Sequence, residues 1–124
     1  MALHESQSRL IENQIGRSKA FCEFLFPMLK HYFPHLNLCT PNELYFTTNE
    51  VKLDYIRTES DEVNYNIHIL LRYELEEELI SGTLEVDDLE KEWNARFYRD
   101  FEMIIDVPNQ GFLQDIHWFS GLFG

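Results

Sequence analysis

Leu89, Trp93, Phe97 and Phe101 recur at every fourth position through a stretch whose other residues are mostly charged or polar. Residues four apart share one face of an α-helix, so this spacing commits four bulky side chains to a single buried stripe. It predicts a helix that begins at Asp87 or Asp88. Upstream, Val63, Ile67, Leu70, Leu71, Leu75 and Leu79 mark a second apolar stripe. Ser60 or Thr58 is placed to cap that helix. Asp61 and Glu62 fall in its first turn against the positive end of the dipole, and Gly82 stands just past its end. The run Glu74, Glu76, Glu77, Glu78 reads as a solvated face, because Leu75 and Leu79 keep the apolar period through it.

From Leu3 to Tyr32 the apolar residues again recur at spacings of three, four and seven. Gly16 marks a break with Ser18 capping a second helix, Pro27 should kink that helix, and Pro34 ends it. Thr40, Pro41 and Glu43 spell an N-cap, a first-turn proline and a capping box, which predicts a short helix over 42–50. Between Lys52 and Arg57 the pattern turns to alternation, suggesting a short extended segment and at most one or two strands around 52–57. A loop over 107–111 precedes a helix expected from Phe112 to Phe119. The fold class is therefore mainly α, a single multi-helical segment over 1–124.

With 44% hydrophobic and 15% aromatic residues in 124, the chain is too apolar for disorder and has the size of one domain. A formal charge of -12 repels phosphate backbones and anionic headgroups, so neither nucleic acid nor a membrane surface is an expected partner. Cys22 and Cys39 form no metal-binding spacing and read as reduced and structural. No apolar run approaches the roughly 20 residues of a membrane span, and the N-terminus has no secretory pattern, which points to a cytoplasmic location.

Three short stretches carry more specific information: His4-Glu5-Ser6-Gln7, Ile56-Arg57-Thr58-Glu59-Ser60-Asp61, and Gly111-Phe112-Leu113-Gln114-Asp115-Ile116-His117-Trp118. In this order and spacing they resemble the HESQ, IRxxAD and GxxQDxHW patterns of the carboxypeptidase Taq family of zinc metallocarboxypeptidases. Glu12 to Ser18, Asp61 to Leu71 and Trp118 to Gly124 also read like that family. One departure is Ser60, where the family pattern has Ala. The resemblance implies a gluzincin-like helical metallopeptidase that releases C-terminal residues from peptides. It further implies that the zinc-binding HExxH helix lies upstream of HESQ. This sequence contains no HExxH, so the chain reads as a C-terminal-half segment of such a domain, truncated at both ends and inactive alone.

By that resemblance Glu5 is a metal ligand, the third beside two His of HExxH, and zinc is the expected metal. His4, about 100° around the helix from Glu5, cannot share the ion and is expected toward the substrate or as a structural His. Arg57 is the expected ligand of the substrate's C-terminal carboxylate, since a planar guanidinium takes a carboxylate bidentately. A plainer role for Arg57 is pairing with Asp61 or Glu62. His117 is the expected donor to the oxyanion of hydrolysis, and Gln114, three residues before it, is expected to fix its tautomer or touch the substrate. Glu5, Arg57 and His117 should then converge on a common cleft. Asp115 reads as structural and Trp118 as core, while His31, His35 and His68 read as ordinary. Helix faces such as Leu3 with Leu10, and Phe119 with Leu122 and Phe123, should be exposed in this chain and favour a homo-oligomer or a complementary chain. Competing readings are a non-catalytic acidic helical interaction module and one chain of a split enzyme.

Overall fold

The computed structural model describes residues 2–38 and 40–114, and every regular element among them is helical. The chain forms two compact units, 1–50 and 51–124.

The first unit opens with α1 (Ala2–Arg9) and continues as a π-helical segment, Leu10–Gly16. That wider winding ends at Gly16, where a Cβ would stand 3.2 Å from the Ile11 carbonyl oxygen. Ser18 then caps α2 (Lys19–Tyr32) by accepting from the Phe21 N–H, as the sequence predicts. α2 runs through Pro27. Proline removes the donor to the Glu23 carbonyl, but both residues are exposed, so water can take it. α3 (Pro41–Thr48) has the full capping box between Thr40 and Glu43. It packs on α2 around Cys22 and Leu44, the buried apolar side chains described in this unit. Asn49 closes the pair by donating to the Arg17 carbonyl at 3.0 Å and the Tyr45 carbonyl at 2.8 Å.

The second unit is built on α4 (Glu62–Ser81) and α5 (Leu89–Phe101). Its core holds Leu71, Leu75, Leu84, Leu89, Trp93, Phe97 and Phe101, so the whole fourfold stripe of α5 is buried. Gly82 ends α4 at φ 74, the left-handed conformation that glycine adopts without strain.

The buried stripe of α4 differs from the expected one. Val63 and Leu70 are 57% and 53% exposed, whereas Asn64, His68 and Arg72 are buried beside Leu71 and Leu75. Leu70 and Leu71 cannot share a face, and polar partners settle the helix phase. Asn64 bonds Asp61, His68 bonds the Asp54 carbonyl, and the Arg72 guanidinium lies 4.7 Å from the Trp93 ring. The cap also differs: Asp61, not Ser60 or Thr58, caps α4, accepting from Val63 N and Asn64 N. Nor is the acidic run of α4 only a solvated face, because Glu74 and Glu78 pair with Arg96 and Arg99 of α5. From Phe112 the described chain makes one 3-10 turn, Phe112–Gln114, and the remainder of the helix expected to Phe119 lies outside the described residues.

Candidate functional site

Arg57 opens a 3-10 turn, Arg57–Glu59, directly after residues 51–56, which adopt no regular element. A strand would satisfy its backbone on a neighbouring ladder; this segment uses side chains. The Lys52 N–H donates to Asp61 Oδ2 at 3.0 Å, and the Ile56 N–H to Asp54 Oδ1 at 2.9 Å. The Asp54 carbonyl accepts from His68 Nε2 at 3.2 Å. The Tyr55 carbonyl accepts from Gln114 Nε2 at 3.0 Å, and the Arg57 N–H donates to Gln114 Oε1 at 2.9 Å. Ser60, the residue that departs from the family pattern, donates its hydroxyl to the Ile56 carbonyl at 3.0 Å. Tyr55 itself stacks on Phe97, centroids 5.9 Å apart, and donates to the Ile104 carbonyl, fixing the segment to the core.

The half-buried Arg57 side chain donates from Nη1 to the Tyr65 hydroxyl at 2.6 Å, and its guanidinium carbon lies 5.5 Å from the Tyr65 ring centroid. Of the carboxylates weighed as its partner, Asp61 accepts from Lys52 N, Val63 N, Asn64 N and Asn64 Nδ2. Burial pushes the Asp61 carboxyl up, yet these donors together hold it below the ordinary value.

His68, read from sequence as ordinary, lies fully buried under this segment, its ring 4.5 Å from Phe101 and 5.7 Å from Phe97. Because a carbonyl only accepts, Nε2 carries a proton; Nδ1 has no hydrogen-bond partner among the described residues. Burial lowers its pKa to about 4, and the Arg72 and Arg57 charges push the same way. Sequence reasoning missed Tyr65, Asp54 and His68 as the supports of Arg57. Only Asp54, two residues before the N–H it accepts from, carries a local signal, that of an Asx-turn.

Gln114 closes the arrangement. It ends the Phe112–Gln114 turn, and its Nε2 also donates to the Gln110 carbonyl at 2.9 Å. His117, Asp115 and Trp118 lie outside the described residues.

In the first unit, Glu5 lies on α1 with His4 and Gln7, all exposed. Its carboxylate is 3.7 Å from Arg9 Nε in an i,i+4 pair, and Arg9 also reaches Glu12 at 3.6 Å. Helix-surface pairs of this spacing contribute only about 0.3–0.5 kcal/mol, so the exposed Glu5 carboxylate remains open to a stronger cation. Among the described residues no three His, Cys, Asp or Glu side chains come together as a metal site. The groups present do not fit a catalytic zinc by themselves, since a lone carboxylate is too few ligands. No helix among the described residues is long and apolar enough to cross a membrane.

A family model described as carboxypeptidase Taq (M32) metallopeptidase matches residues 1–124. The chain belongs to the M32 family. It is 44% identical over 124 residues to thermostable carboxypeptidase 1 of Pyrococcus furiosus, covering 100% of this chain and 25% of that protein. With thermostable carboxypeptidase 1 of Thermus thermophilus it shares 43% over 125 residues, covering 100% of this chain and 24% of that protein. The crystal structure of the M32 carboxypeptidase from Deinococcus radiodurans R1 matches with a TM-score of 0.89 at 42% identity, over 98% of this chain and 24% of that one. This M32 chain thus spans about a quarter of the length of the relatives it matches. The helical fold is that of M32 enzymes.

Proposed function

We propose that this chain is a C-terminal-half portion of a zinc metallocarboxypeptidase catalytic domain, acting in the cytoplasm on the free C-terminus of peptides. Arg57 receives the terminal carboxylate, Glu5 supplies one metal ligand, and His117 donates to the oxyanion. His4 and Gln114 stand on the substrate side, Gln114 through the backbone it holds. The observation that carries this reading is the mounting of Arg57. A guanidinium on an exposed loop would ordinarily sample many rotamers, whereas this one is oriented by the Tyr65 hydroxyl, and its backbone is tied on both sides, the N–H by Gln114 and the carbonyl by the Ser60 N–H. Bidentate recognition of a carboxylate needs such pre-organisation, because every rotor left free must be frozen on binding. Family membership over the full chain supports the reaction class.

In a complete site Glu5 would hold a divalent metal together with ligands outside this sequence, and that ion would supply Lewis-acid chemistry. This chain contributes carboxylate recognition and one donor, and works together with HExxH-bearing polypeptide that its own 124 residues do not include. NMR titration with a short peptide ending in a free carboxylate, and with the same peptide amidated, tests the central assignment. The free acid is expected to shift the Arg57 Nε–H resonance and the amide to leave it unmoved. Equal responses from both peptides, or a response that survives Arg57→Ala at neighbouring amides, would remove the carboxylate reading.

A further inference from the structure

We propose that Gln114 is a positioning residue for Arg57, its side-chain amide standing in for the strand that residues 55–57 lack. This rests on the reading of Arg57 as the carboxylate ligand. One carboxamide offers an acceptor and a donor side by side, the same pair that a peptide unit of an adjacent strand presents. Gln114 uses Oε1 for the Arg57 N–H at 2.9 Å and Nε2 for the Tyr55 carbonyl at 3.0 Å, bracketing Ile56. Its second Nε2 proton goes to the Gln110 carbonyl at 2.9 Å, so the amide is anchored in its own turn. The turn in turn rests on the core. Phe112 packs against the α4–α5 cluster, and a Cβ at Gly111 would meet Ile105 at 3.5 Å and Asn94 at 3.6 Å. Gln114 thereby couples the α5 platform directly to the backbone N–H of Arg57, beside the Tyr55 ring stacked on Phe97. Tyr65 then fixes the far end of the same residue.

Chemically this assigns Gln114 to the register of Arg57, and not to contact with the peptide. Both amide protons and one oxygen lone pair are already engaged by backbone. Loss of the amide should leave the helices folded and let Arg57 wander.

Amide hydrogen exchange on the full chain, read residue by residue by NMR, tests this. In Gln114→Ala the Arg57 N–H is expected to exchange at least tenfold faster, while core amides such as those of Leu75 and Trp93 keep their protection. The preference for the free-acid peptide over its amide should weaken in the same variant. Gln114→Glu gives a second signature that does not depend on the first variant folding. The introduced carboxylate still accepts from the Arg57 N–H, so that proton's shift should move with pH as the carboxylate ionises. Unchanged Arg57 exchange in Gln114→Ala overturns the proposal, as does loss that runs in step with the core, or a pH-silent Arg57 N–H in Gln114→Glu. A wild-type chain that fails to distinguish the two peptides removes the carboxylate reading alone. The exchange result then still decides whether Gln114 positions Arg57.

Discussion

Asp61 joins the start of α4 to the segment before it, accepting from Lys52 N, Val63 N, Asn64 N and Asn64 Nδ2. Asp61→Ala removes a cap and leaves buried donors unmet, and is expected to lower unfolding free energy by about 2–3 kcal/mol, read as a drop in urea midpoint. His68 sets the acid response. Its folded pKa of about 4 lies below the ordinary 6.5, so between these values the unfolded chain binds more protons. Stability is complete above pH 6.5 and declines as pH falls toward 4, by about 2–3 kcal/mol. The groups that face the ring are Arg72 and Arg57, which oppose protonation, and the carbonyl and carboxylate of Asp54, which favour it. Urea midpoints at pH 7.5 and 5.0 should separate for the wild-type chain and converge for His68→Gln. Arg57 was legible as a functional candidate because its motif names it. Its supports were not, because Tyr65 and His68 sit at positions that any helix surface could occupy.

Among the elements, local chemistry was read correctly at four places and missed at the N-cap of α4, which is Asp61 and not Ser60 or Thr58. The capping box of α3, the Ser18 cap of α2, the C-terminal glycine of α4 and the aromatic stripe of α5 depend on neighbours within a turn or two. Gly82→Ala meets no atom within 4 Å, so its effect is the backbone strain at φ 74 alone, expected at about 1 kcal/mol in the thermal or urea transition. The 51–57 segment could not be read in this way. Its alternating pattern suggested a strand, but a strand needs a partner ladder, and here Asp61, His68 and Gln114 side chains from elsewhere in the unit take that place, with Asp54 bonding locally. The first unit is thinly cored, with Cys22 and Leu44 as its described buried apolar side chains. Its helices should open at lower free energy than α4 and α5. Native-state exchange is expected to show α2 and α3 amides losing protection at denaturant concentrations where α5 amides are still protected.

For the molecule as a whole, the surface is the most informative feature. Leu3, Phe24, Tyr32, Phe33 and Phe46 are exposed in the first unit, and Val63, Leu70, Tyr73 and Ile80 along α4 in the second. Apolar area of this extent is ordinarily covered. The chain is expected to bind a hydrophobic dye or to self-associate, as read by fluorescence and sedimentation; a dye-silent monomer would count against a covering partner. The one metal donor proposed for it, Glu5, sets the other whole-molecule expectation. Calorimetric titration should give zinc affinity no better than about millimolar, with no residue release from a peptide, because one carboxylate cannot do the work of three ligands. Micromolar one-to-one binding would show that a site forms without HExxH.

The helical periodicity, the caps at Ser18, Thr40 and Gly82, the α5 stripe and the M32 motifs follow from the order of residues alone, because periodicity, turn chemistry and motif spacing act over short separations. Which face of α4 is buried, why His68 is neutral, and how Arg57 is held were decided by tertiary structure. Each depends on pairs far apart in the chain, such as Gln114 with Tyr55 and Arg57, or Arg72 with Trp93. Their energies arise only once water has been excluded from between them.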